Sequence, residues 1–171
     1  MDTIIIENFF DNFKNIKDSF KKIPLYSLKE YNKKFHKYEN WPGKRSQALH
    51  DDYPFLFNLI MKELNTKTPL FKDRLLTINS FIHLRLNEDT DKDWIHVDPD
   101  DYTLMVYLSE TNLKSGTAIY PDEENTPTTT VGFVQNRAVL FRGEQRHKAI
   151  NSYGNNLDNG RLTLNCFINV R

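Results

Sequence analysis

The chain is poor in cysteine and has no long apolar run, and both shortages limit what it can be. Cys166 is the only cysteine among 171 residues, so no disulfide can form within the chain, and we expect a reducing compartment. The longest apolar runs, such as Ile4 to Ile6, are far too short to cross a bilayer. The first residues lack the basic region of a signal peptide. These features predict a cytoplasmic protein with no membrane partner.

An excess of charge of either sign is also missing. Basic (Lys+Arg) and acidic (Asp+Glu) residues both number 23, which gives no general attraction to nucleic acid. The distribution is uneven, because residues 86–125 contain eleven acidic residues and only two basic ones. These acids are either solvated loop residues or the rim of a site that repels a phosphate-rich substrate. Nucleic acid is therefore not expected as a partner.

Hydrophobic periodicity divides the chain into a helical front and a β-rich remainder. Ile4 to Ile6 is a short strand candidate, apolar residues recur at helical spacing from Phe9 to Phe20, and Pro54 is expected to begin another helix. Later in the chain, runs rich in β-branched and aromatic residues alternate with turn residues. The strands predicted there are 75–86, 94–98, 102–109, 116–120, 131–135, 137–142, 146–151 and 161–169.

This order of elements predicts a mainly β fold with flanking α-helices. One domain, 1–171, is the default at this length. Residues 1–73 would be mostly helical support, and residues 74–171 would form the β core. A sandwich or barrel with helices packed on one outer face accounts for the order.

The last predicted strand has a polar face and an apolar face. Arg161, Thr163 and Asn165 fall on the first, and Leu162 and Leu164 on the second. In a half-exposed strand the polar face meets water, whereas in a barrel that binds a charged small molecule it can line the lumen. The spacing leaves both alternatives open.

His96-x-Asp98 and the later His147 offer the donor atoms of a metal site. Residues two apart in an extended chain point the same way, so His96 and Asp98 can share one ion. Two imidazoles and a carboxylate suit divalent iron, manganese or zinc, and they leave coordination positions open. Arg161 lies fourteen residues after His147. A buried arginine needs an anionic partner, and Thr163 on the same face could add a hydrogen bond to a carboxylate.

The order and spacing of these motifs resemble the iron(II)/2-oxoglutarate-dependent dioxygenases, in particular their prolyl 4-hydroxylase-like branch. The matching segments are His96-x-Asp98, the strand from Tyr102 to Leu108, Ser115-Gly116-Thr117 with Tyr120-Pro121, the run from Gly132 to His147, and Arg161-x-Thr163. The sequence departs from the branch at Leu86, where prolyl hydroxylases often carry a tyrosine. That departure counts against proline as the substrate.

The resemblance implies a double-stranded β-helix (jelly-roll, cupin-like) core and an oxygenase that consumes O2 and yields succinate and carbon dioxide. The residues that it assigns to Fe(II) are His96, Asp98 and His147. Those that it assigns to the C5 carboxylate of 2-oxoglutarate are Arg161, Thr163 and Tyr107.

The primary substrate is expected to be a C–H bond of a protein or peptide side chain, with proline as one candidate. The branch and the acidic rim favour this expectation. One alternative is a free small molecule such as an amino acid. Another is a non-catalytic β-helix domain that only binds a metal or ligand, which a missing triad residue would have favoured.

Several other residues have two interpretations. Asn165 is expected to pack in the lumen rather than touch the co-substrate, and His83 to be an ordinary, hydrogen-bonded histidine. Trp94 is either a wall of the substrate site or part of the core. Three loops are expected to set specificity, namely residues 36–53, 86–94 and 121–130.

Overall fold

The computed structural model describes residues 3–90 and 92–171, and its strands form two antiparallel sheets. The strands are β1 (Ile4–Ile6), β2 (Tyr26–Ser27), β3 (Lys44–Arg45), β4 (Leu76–Arg85), β5 (Tyr102–Tyr107), β6 (Asn112–Ile119), β7 (Thr129–Phe133), β8 (Ala138–Arg142), β9 (His147–Ile150) and β10 (Arg161–Val170). The α-helices are α1 (Phe13–Lys21), α2 (Leu28–Phe35), α3 (Leu49–Asp52) and α4 (Pro54–Lys67). Short 3₁₀ turns lie at Pro69–Phe71 and Asn87–Asp89.

The larger sheet has the strand order β1-β8-β5-β10-β4-β3-β2, and the smaller has the order β7-β6-β9. Strand β10 is central, because it pairs with β4 on one side and β5 on the other. Hydrogen bonds join the sheets: the Tyr107 hydroxyl donates to Thr117 Oγ1 over 2.8 Å, and Arg161 Nη2 donates to the Gly116 carbonyl over 3.2 Å. The chain thus has the mainly β fold that the pattern of elements predicts, and the double-stranded β-helix core that the resemblance implies.

The helices cover the outer face of the larger sheet. The apolar side of β10, including Leu164 and Ile168, is buried in one cluster with Phe20 of α1 and with Ile60 and Leu64 of α4. Burying each large side chain of this kind contributes about 1.5–3 kcal/mol. A second buried cluster lies between the sheets. The helices therefore pack against the apolar face of β10, and the polar face of β10 points between the sheets.

The helical front follows the predicted pattern in part. Helix α4 begins at Pro54, as expected, and α1 buries Phe13 and Ile16 on one face. Helix α2 was not predicted from periodicity, although Ser27 and Glu30 form a capping box at its start. The front also supplies β1, β2 and β3 to the larger sheet.

The prediction of a strand at 94–98 was wrong. Only His96 pairs there, through an isolated bridge in which its N–H donates to the His147 carbonyl over 3.0 Å. The next residue but one, Asp98, donates its N–H to the Gly143 carbonyl. Pro99 then has no N–H with which to continue a ladder, so the segment turns away from β9.

In the described part of the chain, no helix combines the length and apolarity needed to cross a membrane.

Candidate functional site

Three predicted metal-ligand residues lie together between the sheets. One donor atom from each of His96, Asp98 and His147 falls within 4.8 Å of the other two. The bridge between His96 and His147 holds their imidazole rings with centroids 4.3 Å apart. Asp98 Oδ2 lies 3.5 Å from His147 Nε2. The backbone pairing therefore brings together side chains that are about fifty residues apart in sequence.

Hydrogen bonds orient all three donor groups. The Nδ1 atoms of His96 and His147 each lie 2.9 Å from the backbone carbonyl two residues earlier. Since a carbonyl can only accept, each Nδ1 is the donor, and in the neutral ring the lone pair is then on Nε2, where a metal can bind. The Thr103 hydroxyl donates to Asp98 Oδ2 over 2.5 Å, which leaves Oδ1 available. The donor set therefore suits a divalent transition metal.

Burial favours the neutral form of His147. Loss of hydration is the largest influence and lowers the pKa of His147, whereas the nearby Asp98 carboxylate opposes that effect. A histidine must be neutral to ligate a metal. The environment thus keeps His147 in its ligating form at neutral pH.

Gly143 allows the aspartate loop to approach the strand before His147. A Cβ atom at this position would collide with the backbone carbonyl of Asp100 and would also crowd that of Asp98. The Gly143 carbonyl accepts the Asp98 N–H over 2.8 Å, and its own N–H donates to the Asp101 carbonyl over 3.1 Å. Gly143 therefore sets the position of the Asp98 backbone.

Arg161 is a buried cation that has no anionic partner among residues 3–90 and 92–171. It is 2% exposed, and its Nε has no hydrogen-bond partner there. Its guanidinium carbon lies 5.4 Å from the Phe133 ring centroid and 6.0 Å from that of Tyr107. Burial lowers the pKa of Arg161 to about 10, so the group remains charged at neutral pH. An uncompensated buried charge is costly, and a carboxylate ligand would remove that cost.

A second arginine beside it is already neutralised. Arg85, which pairs with Arg161 in the β4–β10 register, forms a buried ion pair with Asp93 at 2.6 Å. Burial is the largest single influence and would raise the pKa of the Asp93 carboxyl, but the charge and hydrogen bond of Arg85, with smaller contributions from other groups, together lower it. Asp93 also accepts the Ala149 N–H over 3.0 Å. This pair was not predicted from the sequence.

Two predicted co-substrate residues lie behind the cavity wall. The Thr163 hydroxyl is fully buried and contacts the His83 carbonyl at 3.4 Å. The Tyr107 hydroxyl donates to Thr117, and Tyr107 stacks on Phe133 with centroids 4.3 Å apart. Neither side chain is among those that line the cavity. Their contact with a co-substrate stays a prediction.

The metal triad and Arg161 share one cavity of about 470 Å³. Asn165 lines it, as do Asp93 and Trp94 from the loop after β4. Arg161 and Asn165, on the polar face of β10, thus line the cavity, whereas Thr163 on the same face does not. Residues 39–42 and Arg45 also contribute to the wall, whereas the loop at 121–130, which is fully described, does not.

The other ambiguous residues take definite positions. Trp94 is 43% exposed and lines the cavity, so it is a wall residue and not part of the core. His83 is buried, and its Nε2 lies 2.7 Å from the Pro42 carbonyl. Burial, with Arg45 and other arginines nearby, lowers the pKa of His83 well below its usual value.

Thr103 and Arg45 are the main cavity residues that the sequence analysis missed. A signal existed for Thr103, because it alternates with Met105 and Tyr107 on β5 and therefore shares their face. For Arg45 the sequence offered only a short basic segment, whose place beside β4 depends on long-range pairing.

The chain has a clear structural likeness to known oxygenases. An oxidoreductase of the 2OG-Fe(II) oxygenase family from Burkholderia pseudomallei aligns with TM-score 0.63 at 11% identity, over 98% of this chain and 84% of that one. HygX from Streptomyces hygroscopicus, crystallised with nickel and 2-oxoglutarate, aligns with TM-score 0.64 at 11% identity, over 98% and 82%. A prolyl hydroxylase from Trichoplax adhaerens, in complex with a peptide of hypoxia inducible factor, aligns with TM-score 0.59 at 13% identity, over 97% and 82%.

Sequence comparison adds nothing to this likeness. No protein-family model matches the chain, and no curated protein matches it either. At these identities the structural likeness establishes the fold, and the function rests on the site itself.

Proposed function

We propose that the protein is an Fe(II)- and 2-oxoglutarate-dependent oxygenase that hydroxylates a C–H bond. The observation that carries the proposal is Arg161, a buried cation without an anionic partner in the described chain that shares a cavity with His96, Asp98 and His147. A metal triad alone would also suit a binding domain. A triad beside an unpaired buried arginine suits a metal-chelating dicarboxylate.

Separate groups of residues would bind the metal and 2-oxoglutarate. His96, Asp98 and His147 hold the metal, and Arg161 holds the far carboxylate of 2-oxoglutarate. When bound, the metal and 2-oxoglutarate would supply oxidative chemistry. In it, 2-oxoglutarate, O2 and a substrate C–H bond become succinate, carbon dioxide and an alcohol. Thr103 fixes one oxygen of the aspartate so that the ligand geometry persists through turnover.

Other side chains would orient and shield the reactants. The Arg85–Asp93 pair keeps a second guanidinium from competing with Arg161 for the same carboxylate. Phe133 and Tyr107 enclose the Arg161 side chain and exclude water from its charge. Contacts of Thr163 and Tyr107 with the co-substrate remain part of the proposal.

The primary substrate that we favour is a protein or peptide side chain. Two apolar residues next to the metal ligands, Trp94 and Val97, are 43% and 53% exposed. These two side chains offer apolar surface that a polypeptide bound at the site would cover. The prolyl hydroxylase from Trichoplax adhaerens, with its bound peptide, shows that this fold admits such a ligand.

A free small molecule is the second candidate. A cavity of about 470 Å³ is within the range of small-molecule sites. Proline remains one candidate target among several, since Leu86 departs from the prolyl hydroxylase pattern.

The test of the proposal is slow turnover of 2-oxoglutarate without a primary substrate. We expect protein reconstituted with Fe(II) in air to convert labelled 2-oxoglutarate to labelled succinate, and His147→Ala to lose this activity. His50→Ala, which removes an exposed histidine outside the cavity, is the matched control and should retain it. Equal succinate formation by His147→Ala would contradict the proposed metal site.

A further inference from the structure

A second unpaired guanidinium faces the cavity from β3, which lies two strands away from β10 in the larger sheet. Arg45 lies on β3 and lines the cavity, but its Nε has no hydrogen-bond partner among residues 3–90 and 92–171. Within the same described residues, no carboxylate lies within 4.0 Å of its guanidinium. Glu39 is on the same wall, at a greater distance. Arg45 is therefore a cation whose donors are free to bind an anion.

Aromatic rings hold the Arg45 guanidinium in place. Its central carbon lies 4.9 Å from the Trp41 ring centroid, 5.2 Å from that of Phe81 and 5.9 Å from that of Phe167. Stacking uses the faces of a guanidinium and leaves its N–H donors, which lie in the plane, unsatisfied. A group held in this way loses little conformational entropy when it binds a planar carboxylate.

The position of Arg45 differs from that of the proposed co-substrate arginine. Arg45 pairs with His83 on one side of β4, whereas Arg161 pairs with Arg85 on the other. The two arginines are therefore two strand spacings apart, about 10 Å, and are offset by two residues along the sheet. Of the three cavity arginines, Arg85 is neutralised by Asp93 and Arg161 would take the co-substrate, which leaves Arg45 without a ligand.

We propose that Arg45 is a substrate-binding residue that receives a carboxylate of the primary substrate. This inference rests on the proposed function, since it names the chemical class of the molecule to be hydroxylated. Asn165, whose Oδ1 is buried without a partner in the described chain and which lines the same cavity, is positioned to accept a donor from that substrate. The carboxylate could belong to a free acid or to an acidic peptide, and the experiment separates these sources.

The first experiment uses a matched pair of probes and does not depend on turnover. Fluorine NMR would measure binding of para-fluorophenylacetate and of its amide to zinc-loaded protein saturated with 2-oxoglutarate. We expect the acid to bind about tenfold or more tightly than the amide, as a charge-assisted pair requires. Arg45→Gln should remove this preference and Arg45→Lys should reduce it, while Lys44→Gln, on the same strand but outside the cavity, should leave it intact.

Three results would overturn the inference. In the first, the wild-type protein binds the acid no better than the amide. In the second, Arg45→Gln folds and keeps the preference for the acid. In the third, added 2-oxoglutarate displaces the acid in proportion to its concentration. The last would place the probe at Arg161. An Arg45-dependent preference in a protein that forms no complex with Fe(II) and 2-oxoglutarate would instead mean that the proposed function, and not the carboxylate site, had failed.

The second experiment identifies the source of the carboxylate. Succinate formation would be measured with free para-fluorophenylacetate and its amide, and with capped peptides that differ only by glutamate or glutamine. Stimulation by the free acid alone supports a small substrate, and stimulation by the acidic peptide alone supports a polypeptide. Stimulation only by the neutral members of both pairs would contradict the inference.

Discussion

At the scale of single residues, Arg161 links the fold to the function. Its guanidinium is buried without an anionic partner in the described chain, so the ligand-free protein bears a cost that the ligand would remove. An apolar residue of similar length would avoid that cost. Function and stability therefore make opposite demands on this position.

We predict that Arg161→Met leaves the apo-protein as stable as the wild type, or more stable, while it abolishes tight 2-oxoglutarate binding. Hydrogen bonds to a charged group contribute about 1.5–3 kcal/mol, which corresponds to roughly ten- to hundredfold in Kd. Calorimetric titration of metal-loaded protein and thermal melting of apo-protein measure the two effects.

The matched control is Arg74→Met, which removes an exposed arginine outside the cavity and should change neither quantity. If Arg161→Met destabilised the apo-protein by several kcal/mol and bound 2-oxoglutarate normally, Arg161 would be a structural residue.

The sequence predicted which residues meet at the cavity, but it did not predict all of the residues that surround them. His96, Asp98, His147 and Arg161 were identified from their order and spacing, and the structure places them around one cavity. The partners of Arg85 and Arg45 could not be predicted in the same way. They depend on which residues β3 and β4 bring opposite each other, and short-range patterns do not determine such pairing.

At the scale of elements, the turn between β8 and β9 positions the aspartate of the triad. At Gly143 the two backbones are so close that a Cβ would collide with the Asp100 carbonyl, and both the N–H and the carbonyl of Gly143 bond to the segment from Asp98 to Asp101. The local requirement for glycine is therefore steric.

We predict that Gly143→Ala shifts the Asp98 segment and weakens metal binding by roughly ten- to hundredfold, the usual effect of disturbing the support of a ligand. Metal titration of the folded variant measures the change. Gly132→Ala is the matched control, because its new Cβ would meet only the flexible Leu113 side chain. Unchanged metal affinity in Gly143→Ala would mean that the loop is not held in this way.

Element prediction succeeded where the pattern was long and failed where it was short. The alternation in β10 and the apolar face of α4 were clear from the sequence. The segment 94–98 has strand-like composition, yet one bridge at His96 is all that forms before Pro99. Helix α2 was missed because only eight residues carry its signal, although its capping box was visible at Ser27 and Glu30.

At the scale of the whole molecule, burial of a histidine couples stability to pH. His83 is buried near arginines, and its pKa in the folded state is well below the ordinary value of 6.5. The unfolded chain therefore binds a proton near pH 6.5 that the folded protein does not bind. The protein is therefore most stable above that pH, and its stability decreases as the pH falls.

We predict that acidification from about pH 7.5 to about pH 5.5 lowers the free energy of unfolding, by up to about 1.4 kcal/mol per pH unit for each proton taken up. Denaturant titrations at several pH values measure this slope. His83→Gln should have a shallower slope, whereas His50→Gln, which alters an exposed side chain, should match the wild type. Equal slopes in His83→Gln and the wild type would exclude His83 as the source.

The central claim is that one cavity binds a divalent iron and 2-oxoglutarate together. Anaerobic titration of apo-protein with Fe(II) and 2-oxoglutarate tests it most directly, because the chelated complex has a visible charge-transfer band that needs no primary substrate. We predict a band that is absent in His96→Ala and weakened in Arg161→Gln. The absence of any band from folded wild-type protein, or a full band in His96→Ala, would contradict the account.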